Sequence, residues 1–222
     1  MSWNVLMSLY ALDGLTEAFK LFTGTGSPRK PELYLWGNTI DADFVRWRRL
    51  CHVREELERD LAIKSEPDII LRVPGQAIVL IEAKFGSANR RLADNKGRFG
   101  AVADFLTRYK CKSGAADPLN RKWISGQPGE SVLEQLCRNA IFAHWLASEK
   151  EQPFVINLVR RAEANLKEEQ LFRQHLSENG IIFHVRTWED LFGLPVFQTK
   201  QASTLQKYIK NKTLKFLPAF RF

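Results

Sequence analysis

Ala77-Ile78-Val79-Leu80-Ile81 is an unbroken apolar run, and Ile69-Ile70-Leu71 precedes it across Val73-Pro74-Gly75-Gln76. A Pro-Gly turn between two β-branched runs predicts a hairpin, and the lack of polar alternation predicts strands covered on both faces. Elsewhere the spacing turns helical. Apolar residues recur with helical period from about Trp3 to Phe22 behind Ser2 as cap, and again from about Asp41 to Leu61, where Phe44, Trp47, Leu50, Leu57 and Leu61 form one stripe. Further helices are expected around Val102–Tyr109, from the Ser131 cap to about Ser148, and over Glu168–Glu178. Phe154–Val159 and Ile181–Val185 read as strands, and Thr187, three residues before Asp190, reads as the cap of a short helix. The order helix, hairpin, helix, strand, helix, strand predicts an α/β fold with a mixed central sheet flanked by helices.

Thr23–Pro31 is rich in Gly, Pro and Ser and predicts a linker. The expected organisation is an N-terminal helix and linker over 1–30, a main domain over 31–195 and a basic, aromatic tail over 196–222. No internal repeat or low-complexity tract stands out. Of the 222 residues, 45% are hydrophobic, enough for a sizeable core. No apolar window approaches the roughly 18 residues of a membrane span, and the N-terminal apolar run lacks a basic stretch before it, so a soluble protein is expected. Cys51, Cys111 and Cys137 are odd in number and lack metal-ligand spacing, which predicts a reducing, cytoplasmic setting. The net charge of +8 favours a polyanionic partner. The four histidines are scattered, and no Gly-rich phosphate loop points to ATP.

The chemistry concentrates at the hairpin. Asp68 opens its first strand, while Glu82 and Lys84 close its second with Ala83 between them. Alternation puts Glu82 and Lys84 on one face, and the turn folds Asp68 back beside Glu82 although 14 residues separate them. Two adjacent carboxylates repel, and a cation relieves them. Mg²⁺ suits such a pair, since it takes one or two carboxylates, waters and a substrate phosphate. Lys84 adds a compact charge that orients water or meets charge developing on phosphate. The alternative is an ordinary salt bridge between Lys84 and either acid.

Pro67-Asp68 followed by Glu82-Ala83-Lys84 resembles the signature of the PD-(D/E)xK nuclease superfamily, the restriction endonuclease-like proteins. The resemblance implies an α-β-β-β-α-β core, dependence on Mg²⁺ (or Mn²⁺) and hydrolysis of DNA phosphodiester bonds, as in restriction or defence against foreign DNA. It covers under a tenth of the chain by motif. Many members carry a further acid on the preceding helix; Asp43 is the choice here, with Asp41, Glu55 and Glu58 as alternatives. RecB-like members place a Gln, then a Tyr four residues on, along the later helix. Gln135 matches, but Asn139 stands in the tyrosine's place. Gln135, Arg138 and Asn139 share a helical face, so Gln135 can reach Lys84 or a water, and Arg138 a phosphate; a solvated polar face is the competing reading. Arg90, Arg91, Lys96 and Arg98 follow the motif, where a nuclease needs phosphate contacts. Asp68 and Glu82 are thus the expected metal ligands; Lys84, Asp43 and Gln135 complete the catalytic set. A nuclease that cuts both strands often works as a pair, so a homodimer or a partner subunit enters as an expectation of the same resemblance. A competing function is a nuclease-fold subunit without catalysis that binds nucleic acid or an assembly.

Overall fold

The computed structural model describes residues 2–40, 45–62, 64–92, 101–178, 180–203 and 207. One six-stranded mixed sheet organises them: β1 (Glu32–Leu35), β2 (Asn38–Thr39), β3 (Ile69–Val73), β4 (Ala77–Ala83), β5 (Gln152–Val159) and β6 (Ile182–Thr187). The strand order is β2-β1-β3-β4-β5-β6. Pairing is antiparallel from β2 through β4 and parallel across β4-β5-β6. The hairpin is as expected, with Gly75 at φ 78 supplying the left-handed turn residue. Leu33-Tyr34-Leu35, only a short apolar run in sequence, is a true strand because it pairs with β3 from Glu32↔Arg72 to Leu35↔Ile69.

Side-chain alternation divides the apolar residues into two cores. Ile69, Leu71, Val79, Ile81, Ile156 and Leu158 face one way, against α1 (Ser2–Ala11) and α2 (Leu15–Thr23). Ile70, Ile78, Leu80, Val155 and Phe183 face the other, against a layer that includes α3 (Arg48–Glu58) and α6 (Glu134–Leu146). β3, β4 and most of β5 are covered on both faces, which is why their runs read as continuous apolar sequence.

Helix boundaries differ from the sequence expectation where tertiary pairing intervenes. The single N-terminal helix is two, broken where Asp13 takes φ 59 and where Gly14 lies so close to Val196 that a Cβ would meet it at 2.7 Å. The apolar period runs through the break because both helices bury against the same core. The helix expected from Asp41 begins at Arg48: the Val45 carbonyl accepts from the Thr39 N–H, and Arg46 bridges Asn38, holding the chain extended. Asp41, Asp43 and Phe44 lie outside the described residues. Ser131 does not cap α6; it closes a 3₁₀ turn, and Arg91↔Leu133 pairing keeps the backbone extended until Glu134. α4 (Ala101–Arg108) and α5 (Arg121–Ser125) precede α6. α7 (Leu166–His175) starts earlier than expected, capped by the Asn165 side chain. The Thr187 hydroxyl accepts from the Asp190 N–H and caps α8 (Trp188–Phe192), as expected.

Among the described residues no helix is long and apolar enough to cross a membrane.

Candidate active site

Asp68 stands one residue before β3, and the register Ile69↔Ile81 brings it across from Glu82. Its Oδ2 accepts from the Ala83 N–H at 3.0 Å. The approach to Asp68 is fixed by an ion network. The buried Arg54 donates from Nε to the Ser65 carbonyl at 2.7 Å and pairs with Glu66 at 2.7 Å, while Arg46 reaches the same carboxylate at 2.9 Å.

Lys84 follows the last residue of β4, and its backbone is held from both sides. Its N–H donates to the Leu158 carbonyl at 2.8 Å, and its carbonyl accepts from Trp188 Nε1 at 2.9 Å. The ammonium lies 2.7 Å from Glu82 Oε1 and donates to Gln135 Oε1 at 2.9 Å. Gln135 Oε1 also accepts the Arg90 N–H at 2.9 Å, which ties the loop after β4 to α6. The other Glu82 oxygen accepts from Asn139 Nδ2 at 3.0 Å. Asp68, Glu82 and Lys84 have the parity of Ile70 and Leu80, so all three lie on the α6 side, while Ala83 packs into the opposite core.

The structure therefore brings together Asp68, Glu82, Lys84 and Gln135. It places the first three at strand ends in the middle of the sheet, not at its edge, because β1 and β2 extend the sheet beyond β3, and Gln135 reaches them from α6. Burial raises the Asp68 pKa, and the neighbouring Glu82 charge raises it further; the Ala83 N–H, Lys84 and Arg138 work against both. Glu82 is only 4% exposed. A half-buried acid beside a buried one is the arrangement a cation relieves.

Of the basic residues expected to meet phosphate, Arg90 pairs with Glu134 at 3.1 Å, and Arg138 lies 4.0 Å from the same carboxylate. Arg91 reaches Glu168 at 3.4 Å and the Glu130 carbonyl at 2.9 Å. Lys96 and Arg98 lie outside the described residues. A cavity of about 1110 Å³ adjoins the site through Arg90, Glu134 and Arg138, though Asp68, Glu82 and Lys84 do not line it; seven basic and four acidic residues do. Of the alternative helix acids, Glu55 pairs with Lys64. Glu58 is fully buried, accepting from the Tyr109 hydroxyl at 2.5 Å and from the Ser65 N–H at 2.6 Å.

Among the described residues no group of three or more His, Cys, Asp or Glu side chains forms a metal cluster. The two carboxylates nevertheless fit a hard ion that keeps most of its waters, as Mg²⁺ does. They would not by themselves select zinc, which prefers nitrogen or sulfur. The histidines stand elsewhere: His175 is buried, its Nδ1 2.6 Å from the Leu171 carbonyl, and burial holds its pKa down.

Sequence reasoning placed Asn139 on the face of Gln135 and Arg138 but gave it no role; here it is a partner of Glu82. Asn157 was missed. It is in register with Glu82 on the neighbouring strand and is the one polar residue of Phe154-Val155-Ile156-Asn157-Leu158-Val159, which was the available signal.

No protein-family model, curated protein or solved structure matches the chain.

Proposed function

We propose that this protein is a divalent-metal-dependent nuclease that hydrolyses DNA phosphodiester bonds, with a restriction endonuclease-like core. The observation that carries this reading is the meeting of Asp68, Glu82 and Lys84 on one face, with Gln135 holding the amine. The element order is compatible with it: α2, β1, β3, β4, α6 and β5 can be read as α-β-β-β-α-β, with β2 and α3 inserted before β3 and α4 and α5 between β4 and α6.

Asp68 and Glu82 would hold the ion. Bound Mg²⁺ or Mn²⁺ lowers the pKa of a coordinated water and polarises the phosphodiester. Lys84 supplies fixed positive charge where the phosphate gathers negative charge, and its two anchors, Glu82 and Gln135, keep it there without reorganisation. Arg138, close enough to influence Asp68, and Arg90, which lines the adjoining cavity, would supply phosphate contacts.

One observation favours a second reading, a nuclease-fold subunit that binds nucleic acid without cutting it. Both Glu82 oxygens already have protein partners, Lys84 and Asn139, as in a structural ion pair. Incubating the pure protein with single-stranded, duplex and branched DNA, with and without Mg²⁺ or Mn²⁺, separates the two. The nuclease reading expects metal-dependent cleavage that falls at least ~100-fold in Lys84→Ala and Asp68→Ala while both variants stay folded. Cleavage that ignores metal or these substitutions would overturn it. DNA binding without cleavage, together with no Mn²⁺ binding by calorimetry, would establish the second reading.

A further inference from the structure

We infer that Asn157 is a positioning residue of this site, its Oδ1 accepting a hydrogen bond from water on the ion held by Asp68 and Glu82. The inference rests on the metal reading above and extends it to a residue on a third strand.

Asn157 lies two residues before the end of β5, paired in parallel register with Glu82. Neighbouring strands run about 4.8 Å apart, so in-register side chains on one face are immediate neighbours. The face is fixed by parity, since Val155 packs with Ile78 and Leu80 on the α6 side. Asn157 is 5% exposed, and its Oδ1 is buried without a hydrogen-bond partner. An unpaired buried acceptor destabilises the fold, and the other residues from Phe154 to Val159 are all apolar, so a valine or leucine would suit packing better.

Glu82 cannot satisfy that oxygen. An ionised carboxylate only accepts, and here its two oxygens already take hydrogens from Lys84 and Asn139. Asn157 Oδ1 is therefore open to a donor from outside the protein. Water on a hard cation is such a donor, strongly polarised and in the right place, and outer ligands of this kind orient the inner ones. Asn89 also has an unpaired buried Oδ1, but its Nδ2 is bonded to Glu168, which gives that side chain a structural purpose.

The test measures Mn²⁺ binding to the full chain by calorimetry, without nucleic acid, alongside thermal melting in chelator. Asn157→Leu removes the amide at similar size, and Asn157→Asp keeps an oxygen acceptor. The inference expects Mn²⁺ affinity ~10–100-fold weaker in Asn157→Leu and regained in Asn157→Asp. It also expects Asn157→Leu to melt no lower than the parent, because an unpaired acceptor has gone. Unchanged affinity in Asn157→Leu, no recovery in Asn157→Asp, or a lower melting temperature in Asn157→Leu would overturn it, the last marking the amide as a structural brace. Asp68→Ala tells the two levels apart. Loss of Mn²⁺ binding there but not in Asn157→Leu defeats this inference alone. A parent chain that binds no Mn²⁺, or an Asp68→Ala chain that binds it normally, defeats the metal reading and this one together.

Discussion

Trp188→Phe is the most informative single change, because Trp188 links the helical layer on one face to the functional residue on the other. The indole is fully buried, stacks on Phe85 with centroids 3.9 Å apart, and donates from Nε1 to the Lys84 carbonyl at 2.9 Å. Phenylalanine keeps an aromatic ring but has no donor, so the partly buried Lys84 carbonyl loses its side-chain partner. Leaving a buried group unpaired costs about 1–3 kcal/mol. The smaller ring leaves a void of at least a methyl group, worth about 1 kcal/mol more. The expected loss is therefore about 2–4 kcal/mol, to be read from urea unfolding as a lower midpoint at constant slope. At about 2–4 °C per kcal/mol for a chain of this size, the melting temperature should fall by about 4–16 °C. A loss below about 1 kcal/mol would refute the reasoning, because it would mean that the carbonyl finds another partner and the void closes.

Two further outcomes follow from buried polar groups. Asp68 has a raised pKa in the folded chain, so between its ordinary value and the folded one the native state holds the proton more tightly, and stability falls as pH rises through that window. Asp68→Asn should therefore be the more stable protein at neutral pH without metal, with the difference vanishing below about pH 3.9; equal pH-stability curves would contradict this. Tyr109→Phe removes the hydroxyl bonded to the buried Glu58 carboxylate and should destabilise by about 1.5–3 kcal/mol in urea unfolding, whereas an unchanged midpoint would mean that the bond contributes nothing net.

The hairpin and its three charged residues were legible because each depends on local rules. A Pro-Gly turn sets the register, and strict alternation decides the face. What the sequence hid depends on distant partners. Asp13-Gly14 is a local turn signal that the continuous apolar period masks; what the sequence hides is Val196, packed against Gly14. The Val45 carbonyl that holds off the start of α3 answers a Thr39 N–H on another strand. Gln135 was legible from helical spacing and from resemblance together. Asn157 carried a signal, a lone amide in an apolar strand, but its meaning needs the parallel pairing of β4 with β5, which no local rule supplies. Trp188 opens α8, and its grip on Lys84 spans 104 positions of chain.

The separations along the chain also set an order of assembly. The tight turn can draw Asp68 and Glu82 together early, since closing a short loop loses little chain entropy. The side chains that hold the amine and the second acid come later: Gln135 is 51 residues from Lys84, and Asn139 is 57 from Glu82. Between these events the nascent hairpin carries mutual repulsion with only one amine nearby. Docking of the long helix then removes a penalty as well as burying apolar surface, which ties completion of the core to completion of the charged centre.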